Sequence, residues 1–122
     1  MKRVLIVDDS RLSRNYHSSV MRNAGFAVET ASDGADALEK LMLEPVDVIL
    51  TDINMRGMDG YEFIRRVRAA EQLAQPPIVI ISTESSDADK RQGYDAGANF
   101  YLVKPAQPQQ IVDSVRMIIE PG

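Results

Sequence analysis

Five side chains in this 122-residue sequence could do chemistry together: Asp8, Asp9, Asp52, Ser82 and Lys104. Each follows a short apolar run. Val4–Val7 precedes Asp8-Asp9, Val46–Leu50 precedes Thr51-Asp52, Ile78–Ile81 precedes Ser82-Thr83, and Phe100–Val103 precedes Lys104-Pro105. Three carboxylates brought to one edge raise one another's pKa unless a cation neutralises them. A hard, oxygen-liganded divalent ion answers that need, and Mg²⁺ takes only one or two carboxylates plus waters. Such a cation would also offset repulsion between the carboxylates and an incoming phosphoryl oxygen. A carboxylate placed there can act as a nucleophile and become an aspartyl phosphate. Ser82 and Lys104 could then hold phosphoryl oxygens through hydroxyl and charge-assisted hydrogen bonds. Each Asp alone has a plainer reading as a turn former or helix cap, and Asp9 could simply cap the helix that follows. The coincidence of all five at one edge is what points to chemistry.

The elements that would position them alternate along the chain. The four apolar runs, with a weaker one at Phe26–Ala31, are short, rich in β-branched or aromatic residues and flanked by turn residues. Such continuous runs suit strands buried on both faces, as in a parallel sheet. Between them lie helical patterns. Ser10 can cap a helix through Leu12, Tyr16 and Val20 that stops at Gly25. Ser32 or Asp33 can cap a second, through Ala37, Leu38 and Leu41, ending before Pro45. Asp59 starts a third with Phe63, Ile64 and Val67 inward, and Ser86 or Asp87 a fourth ending near Gly97. Pro108 suits the first turn of a fifth, with Ile111, Val115 and Ile118 or Ile119 on its apolar face. Five βα units are too few for a barrel, so the expected fold is α/β, an open doubly wound parallel sheet. In such sheets ligands bind beyond the carboxyl ends of the strands, at the switch in strand order.

Composition narrows the function classes. The length fits one domain spanning residues 1–122, large enough for a core of its own. With no cysteine, thiolate catalysis and cysteine-ligated metals are excluded, and a reducing, cytoplasmic setting is expected. A single histidine, His17, rules out a multi-His metal site. A net charge of −4 argues against direct nucleic-acid binding. The run before Asp8 is too short for a signal peptide or a membrane helix.

The motifs Val4-Leu5-Ile6-Val7-Asp8-Asp9, Asp47 to Met55 around Asp52, Gly57-Met58-Asp59-Gly60, Ile80-Ile81-Ser82, Gly97-Ala98 and Lys104-Pro105 are weak singly and strong together. In this order they make the chain resemble the response-regulator receiver domain of two-component signalling, chemotaxis-type and single-domain, over essentially its whole length. The resemblance implies a flavodoxin-like sheet of five strands in order 2-1-3-4-5 with five helices. It implies Asp52 as phosphoryl acceptor and, with Asp9, as a Mg²⁺ ligand, Asp8 acting through water, and Asn54 lending its backbone carbonyl. Ser82 would be the hydroxyl that moves toward the phosphoryl group, Lys104 its ionic partner, Pro105 a cis-proline, and Tyr101 the aromatic that turns inward when Ser82 moves. Asn54 and Glu84 would tune phosphoryl lifetime, in a pairing similar to regulators with short-lived phosphorylation. The donor would be a histidine on a sensor kinase or phosphotransfer protein. The output would go, through the face of helix four, strand five and helix five, to a downstream protein or to an output domain absent from this chain.

The sequence departs from that pattern at Arg56, where proline is usual, at Thr83, where a smaller residue is common, and at Ala106, where phenylalanine is frequent. None removes a group the reaction needs, although Thr83 could hinder access to Asp52. Elsewhere the expectations are ordinary. His17 faces away from Leu12 and Val20, toward solvent. Arg65, Arg66 and Arg68 form a solvated helix face, with Glu62 supporting Arg66. Met42, Met58 and Met117 pack in core or loops. Gly93 weakens a polar fourth helix. Flavin binding on the same fold fits poorly, because the acidic loop after strand one has no glycine to cradle a phosphate. Two other readings stay open: a phosphorylation-independent interaction scaffold, and a Mg²⁺-dependent phosphatase for small molecules, which here lacks a cap domain and a second acid at position 54.

Overall fold

The computed structural model describes residues 1–120. Its elements alternate as expected: β1 (Arg3–Val7), α1 (Arg11–Asn23), β2 (Ala27–Ala31), α2 (Gly34–Leu43), β3 (Val48–Thr51), α3 (Gly60–Ala69), β4 (Ile78–Ser82), α4 (Asp87–Ala96), β5 (Phe100–Val103) and α5 (Pro108–Ile119). All strand pairs are parallel, in the order β2-β1-β3-β4-β5. β3 is shifted toward Thr51 relative to the apolar run at Val46–Leu50, since Asp47 is held outside the strand with its carboxylate on the Arg3 amide.

The central strands β1, β3 and β4 are apolar apart from Arg3, Thr51 and Ser82 at their ends, because both their faces are covered. Side chains alternate across a strand, and the alternation divides the core in two. Leu5, Val7, Ile49, Ile78, Ile80 and Tyr101 pack with residues of α2, α3 and α4. Val4, Ile6, Val48, Leu50, Val79, Ile81 and Leu102 pack with residues of α1 and α5. The edge strand β2 is only half-buried over most of its length. Right-handed crossovers on either side of β1 send helices to opposite faces. The strand order therefore reverses between β1 and β3, and a crevice opens at their carboxyl ends.

The helix starts are set by their caps. Ser10, Asp33, Asp59 and Ser86 each accept a hydrogen bond from the amide three residues on, and Ser86 with Asp89 completes a capping box. Gly25 (φ 95°) and Gly97 (φ 122°) follow α1 and α4 in the left-handed region, which a side chain rarely adopts.

Three expectations are corrected. On α1 the inward stripe is not Leu12, Tyr16 and Val20. Leu12 is 83% exposed and Tyr16 half-exposed, whereas His17, Ser18, Val20 and Met21 are buried. His17 is thus inside rather than in solvent. The first inward positions of α1 are polar because they face the charged rim of the sheet rather than its apolar centre. Met42 and Met117 are exposed, and only Met58 packs against the core. Arg68 does not share the solvated face of Arg65 and Arg66. Its guanidinium donates to the backbone oxygens of Gly97 and Pro76 and to the side chains of Gln75 and Asn99. Glu62 pairs with Arg66 as expected.

Candidate functional site

Backbone hydrogen bonds extend the sheet by one residue at three places and thereby fix three functional side chains. The Asp8 amide donates to Ala31 O, the Asp52 amide to Val7 O, and the Lys104 amide to Ser82 O, at 3.1, 3.0 and 2.8 Å. Asp8, Asp52 and Lys104 consequently meet at the crevice between β1 and β3. The Lys104 Nζ lies 3.0 Å from Asp8 Oδ2 and 2.9 Å from Asp52 Oδ2. The other oxygens of these carboxylates are held locally, Asp8 Oδ1 by the Ser10 amide and Asp52 Oδ1 by the Ile53 amide. The Asp8 side chain is almost wholly buried at 2% exposure, while Asp52 at 13% can still be reached. Of these two carboxylates, Asp52 is the one open to solvent.

Burial alone would lower the pKa of Lys104. The hydrogen bonds and charges of Asp52 and then Asp8 outweigh it, and the net shift is upward. Lys104 is therefore a permanent cation at neutral pH. It balances one of the three carboxylates Asp8, Asp9 and Asp52, so the rim keeps an excess of negative charge. Among the described residues no three acidic or histidine side chains close into a metal cage. A hard ion such as Mg²⁺ keeps several waters and needs only one or two carboxylates. Asp9, half-buried on the same loop, is the carboxylate not tied to Lys104.

The second half of the site lies beyond β4. Ser82 is fully buried, and its Oγ accepts the Glu84 amide at 3.1 Å. Tyr101 is turned inward, and its hydroxyl donates to Glu84 O at 2.8 Å. Burial, with Tyr61 beside it, pushes the Tyr101 phenol up to about 12, so it stays a donor at neutral pH. Tyr61 donates in turn to Asp89 O on α4. Asn54 Nδ2 donates to Glu84 Oε1 at 3.0 Å, which links the loop after β3 to the loop after β4. Lys104-Pro105 is a cis peptide. Arg56 and Thr83 are both exposed.

The structure thus brings Asp8, Asp52 and Lys104 into contact, and groups Ser82, Asn54, Glu84 and Tyr101 beside them. Sequence reasoning missed contributors from α1. The Ser13 hydroxyl donates to Asp8 Oδ2 at 2.5 Å and accepts from Lys104 Nζ at 2.9 Å. Arg14 donates to Asp8 O. His17 Nδ1 is 3.4 Å from Ser13 Oγ. The spacing of Ser13 and His17, four residues apart on the helix that starts at the acidic pair, was the available signal.

Comparison with known proteins agrees with this geometry. Residues 4–116 match the response regulator receiver domain. The chain is 42% identical over 102 residues to the gliding motility regulatory protein of Myxococcus xanthus, covering 84% of this chain and 13% of that much longer protein. It is 38% identical over 109 residues to the two-component response regulator ORR5 of Oryza sativa, covering 88% of this chain and 81% of that one. Among solved structures, the chemotaxis response regulator CheY4 of Vibrio cholerae superposes with a TM-score of 0.90 at 40% identity, covering 97% and 98% of the two chains. A putative response regulator of Chloroflexus aurantiacus does so at 0.92 and 34%, covering 97% of each. The chain belongs to the response regulator receiver family, the phosphorelay switches of two-component signal transduction.

Proposed function

We propose that Asp52 is the phosphoryl acceptor of this receiver. The observation that carries the reading is the Lys104 ammonium shared between Asp8 and the more accessible Asp52. A carboxylate oxygen of Asp52 attacks the phosphorus of a phosphohistidine on a sensor histidine kinase or phosphotransfer protein. The P–N bond breaks, its electron pair stays on the ring nitrogen, and the imidazole, already protonated at its other nitrogen, leaves neutral. Lys104 turns from the Asp52 carboxylate to a phosphoryl oxygen, a charge-assisted hydrogen bond. Hydrolysis later breaks the P–O bond and restores Asp52. Bound Mg²⁺ would supply charge neutralisation to the phosphoryl oxygens. Asp9 would hold it directly, with Asp8 through water and the Asn54 backbone carbonyl as further partners.

The output is a shift between two conformations, biased because the phosphoryl group is contacted better in one of them. Ser82 gives up the Glu84 amide to reach the phosphoryl group, and Tyr101 reports that change to the face of α4, β5 and α5. A downstream protein, or an output domain elsewhere in a longer chain, reads that face in the cytoplasm. Among the described residues no helix is long and apolar enough to cross a membrane. Asn54 and Glu84, joined across the mouth of the site, keep the phosphoryl lifetime short.

The test is intact-protein mass spectrometry after incubation with Mg²⁺ and a small acyl phosphate, beside Asp52→Asn. A single phosphoryl adduct is expected in the parent, lost in the variant and lost without Mg²⁺. A lifetime of hours at neutral pH would contradict the role given to Asn54 and Glu84. No adduct with either a small donor or a cognate kinase would replace the switch with a scaffold that binds partners regardless of phosphorylation.

A further inference from the structure

We propose that Ser13, on the first turn of α1, is a positioning residue for phosphoryl transfer, holding the Lys104 ammonium in place while its other partners change. The inference rests on the reading of Asp52 as the acceptor. It begins with a count of protons. An ammonium has three N–H donors and no acceptor. Lys104 Nζ has three acceptors within hydrogen-bond distance, Asp8 Oδ2 at 3.0 Å, Ser13 Oγ at 2.9 Å and Asp52 Oδ2 at 2.9 Å. Every proton of this largely buried cation is therefore assigned, and its direction is fixed by three points.

The three acceptors have different fates. Asp52 is consumed when its oxygen bonds to phosphorus. Asp8 belongs to the acidic pair that faces the cation site. Ser13 is a neutral hydroxyl that neither the phosphoryl group nor a divalent ion competes for strongly. It is the one partner that can stay on Lys104 from the resting state to the phosphorylated one.

The hydroxyl is itself oriented. It has a single proton, and lysine can only donate, so that proton goes to Asp8 Oδ2 at 2.5 Å. Its remaining lone pair faces His17 Nδ1 at 3.4 Å. With the Ser13 proton already given to Asp8, a proton on His17 Nδ1 would complete the partners of this hydroxyl. The ring is in turn held edge-on to Tyr16, whose hydroxyl donates to Ala106 O in the loop after Lys104. One side of α1 thus braces Lys104 through Ser13 and the backbone beyond it through Tyr16.

The test compares the parent with Ser13→Ala, Ser13→Thr and Ser13→Val. Alanine favours the helix, and threonine and valine have nearly the same shape but differ in the hydroxyl. Rates of phosphorylation by a small acyl phosphate are measured across donor concentrations at saturating Mg²⁺. Ser13→Ala and Ser13→Val are expected to lower the maximal rate about tenfold without moving the half-saturating donor concentration, with Ser13→Thr within about twofold of the parent. In parallel, the Lys104 ammonium is observed by nitrogen-detected NMR. Its slowly exchanging signal is expected in the parent and Ser13→Thr and lost in the other two. Parental rates in Ser13→Ala and Ser13→Val, or equal slowing in all three variants, would overturn the assignment. A parent that accepts no phosphoryl group would overturn the acceptor reading instead. A Lys104 signal unchanged by Ser13→Ala would then separately overturn this one.

Discussion

The two faces of the sheet solve different problems at the same rim. On the side of α3 and α4 the chain fits by omission. A Cβ on Gly60 would sit 2.2 Å from Asp52 O and 2.7 Å from Ile53 Cα, and one on Gly93 would sit 2.6 Å from Ile80 Cδ1 and 3.2 Å from Tyr101 Cδ2. Glycine lets α3 close on the backbone that carries Asp52, and lets α4 close on Tyr101. On the side of α1 the chain fits by hydrogen bonding. Ser13, Arg14 and His17 fill the space against Asp8 and Lys104 with polar groups. A steric fit fails abruptly when crowded and ignores pH. A hydrogen-bonded fit tolerates changes of shape better but responds to protonation.

Gly60→Ala should break the first kind of fit most severely. Its clash is with backbone, which cannot rotate away. Moreover, the Gly60 amide donates to Ile53 O, so the displaced residue pulls on the Asp52 loop directly. A loss of about 3 kcal/mol is expected from overpacking a closed contact, read as a lower urea midpoint at unchanged slope. Phosphorylation at Asp52 should slow with it. An unchanged midpoint would mean that the loop after β3 yields freely.

Gly93→Val is the milder case, because the nearest atoms are side-chain carbons rather than backbone. It should cost about 2 kcal/mol by urea unfolding. More telling is where Tyr101 goes. The valine should drive the ring outward and break its hydrogen bond to Glu84 O, visible as a changed Tyr101 ring environment by NMR. A destabilised protein with Tyr101 still inward would show that Ile80, not the tyrosine, absorbs the clash.

The same division explains what could be read in the sequence. The strands, the helix caps at Ser10 and Asp59, the caps of α2 and α4 to within one residue, and the rim residues Asp8, Asp9, Asp52, Ser82 and Lys104 were legible. Their signals are local, namely β-branched runs, cap residues and polar groups at strand ends. The strand order came with the family resemblance rather than from the pattern. The inward face of α1 was not legible, because hydrophobic periodicity assumes that the inside is apolar. Leu12 and Tyr16 pointed to the wrong stripe, and the true one opens on Ser13 and His17 against buried charges. Gly93 likewise reads along the chain as a helix weakened by about 1 kcal/mol. Its role as the space for Tyr101 depends on a residue eight positions later, on β5 rather than on its own helix. Arg68 looks solvated until Gly97, Pro76 and Asn99 are brought beside it.

The α1 side carries the smallest effect, and it should depend on pH. Burial, followed by the charge of Lys104, lowers the pKa of His17 below its ordinary 6.5, against a smaller opposing pull from Asp8. The folded protein therefore resists a proton that the unfolded chain accepts. As pH falls through about 6.5 the unfolded state gains that proton first, so stability declines below 6.5 and is recovered above it. One such group contributes a slope of at most about 1.4 kcal/mol per pH unit. In His17→Leu that slope should shrink, while Gly60→Ala and Gly93→Val should lower stability by the same amount at pH 5.5 and pH 7.5. Urea unfolding at the two pH values separates the cases. An undiminished slope in His17→Leu would place the titrating group elsewhere on the rim, and the α1 side would then differ from the α4 side in shape alone.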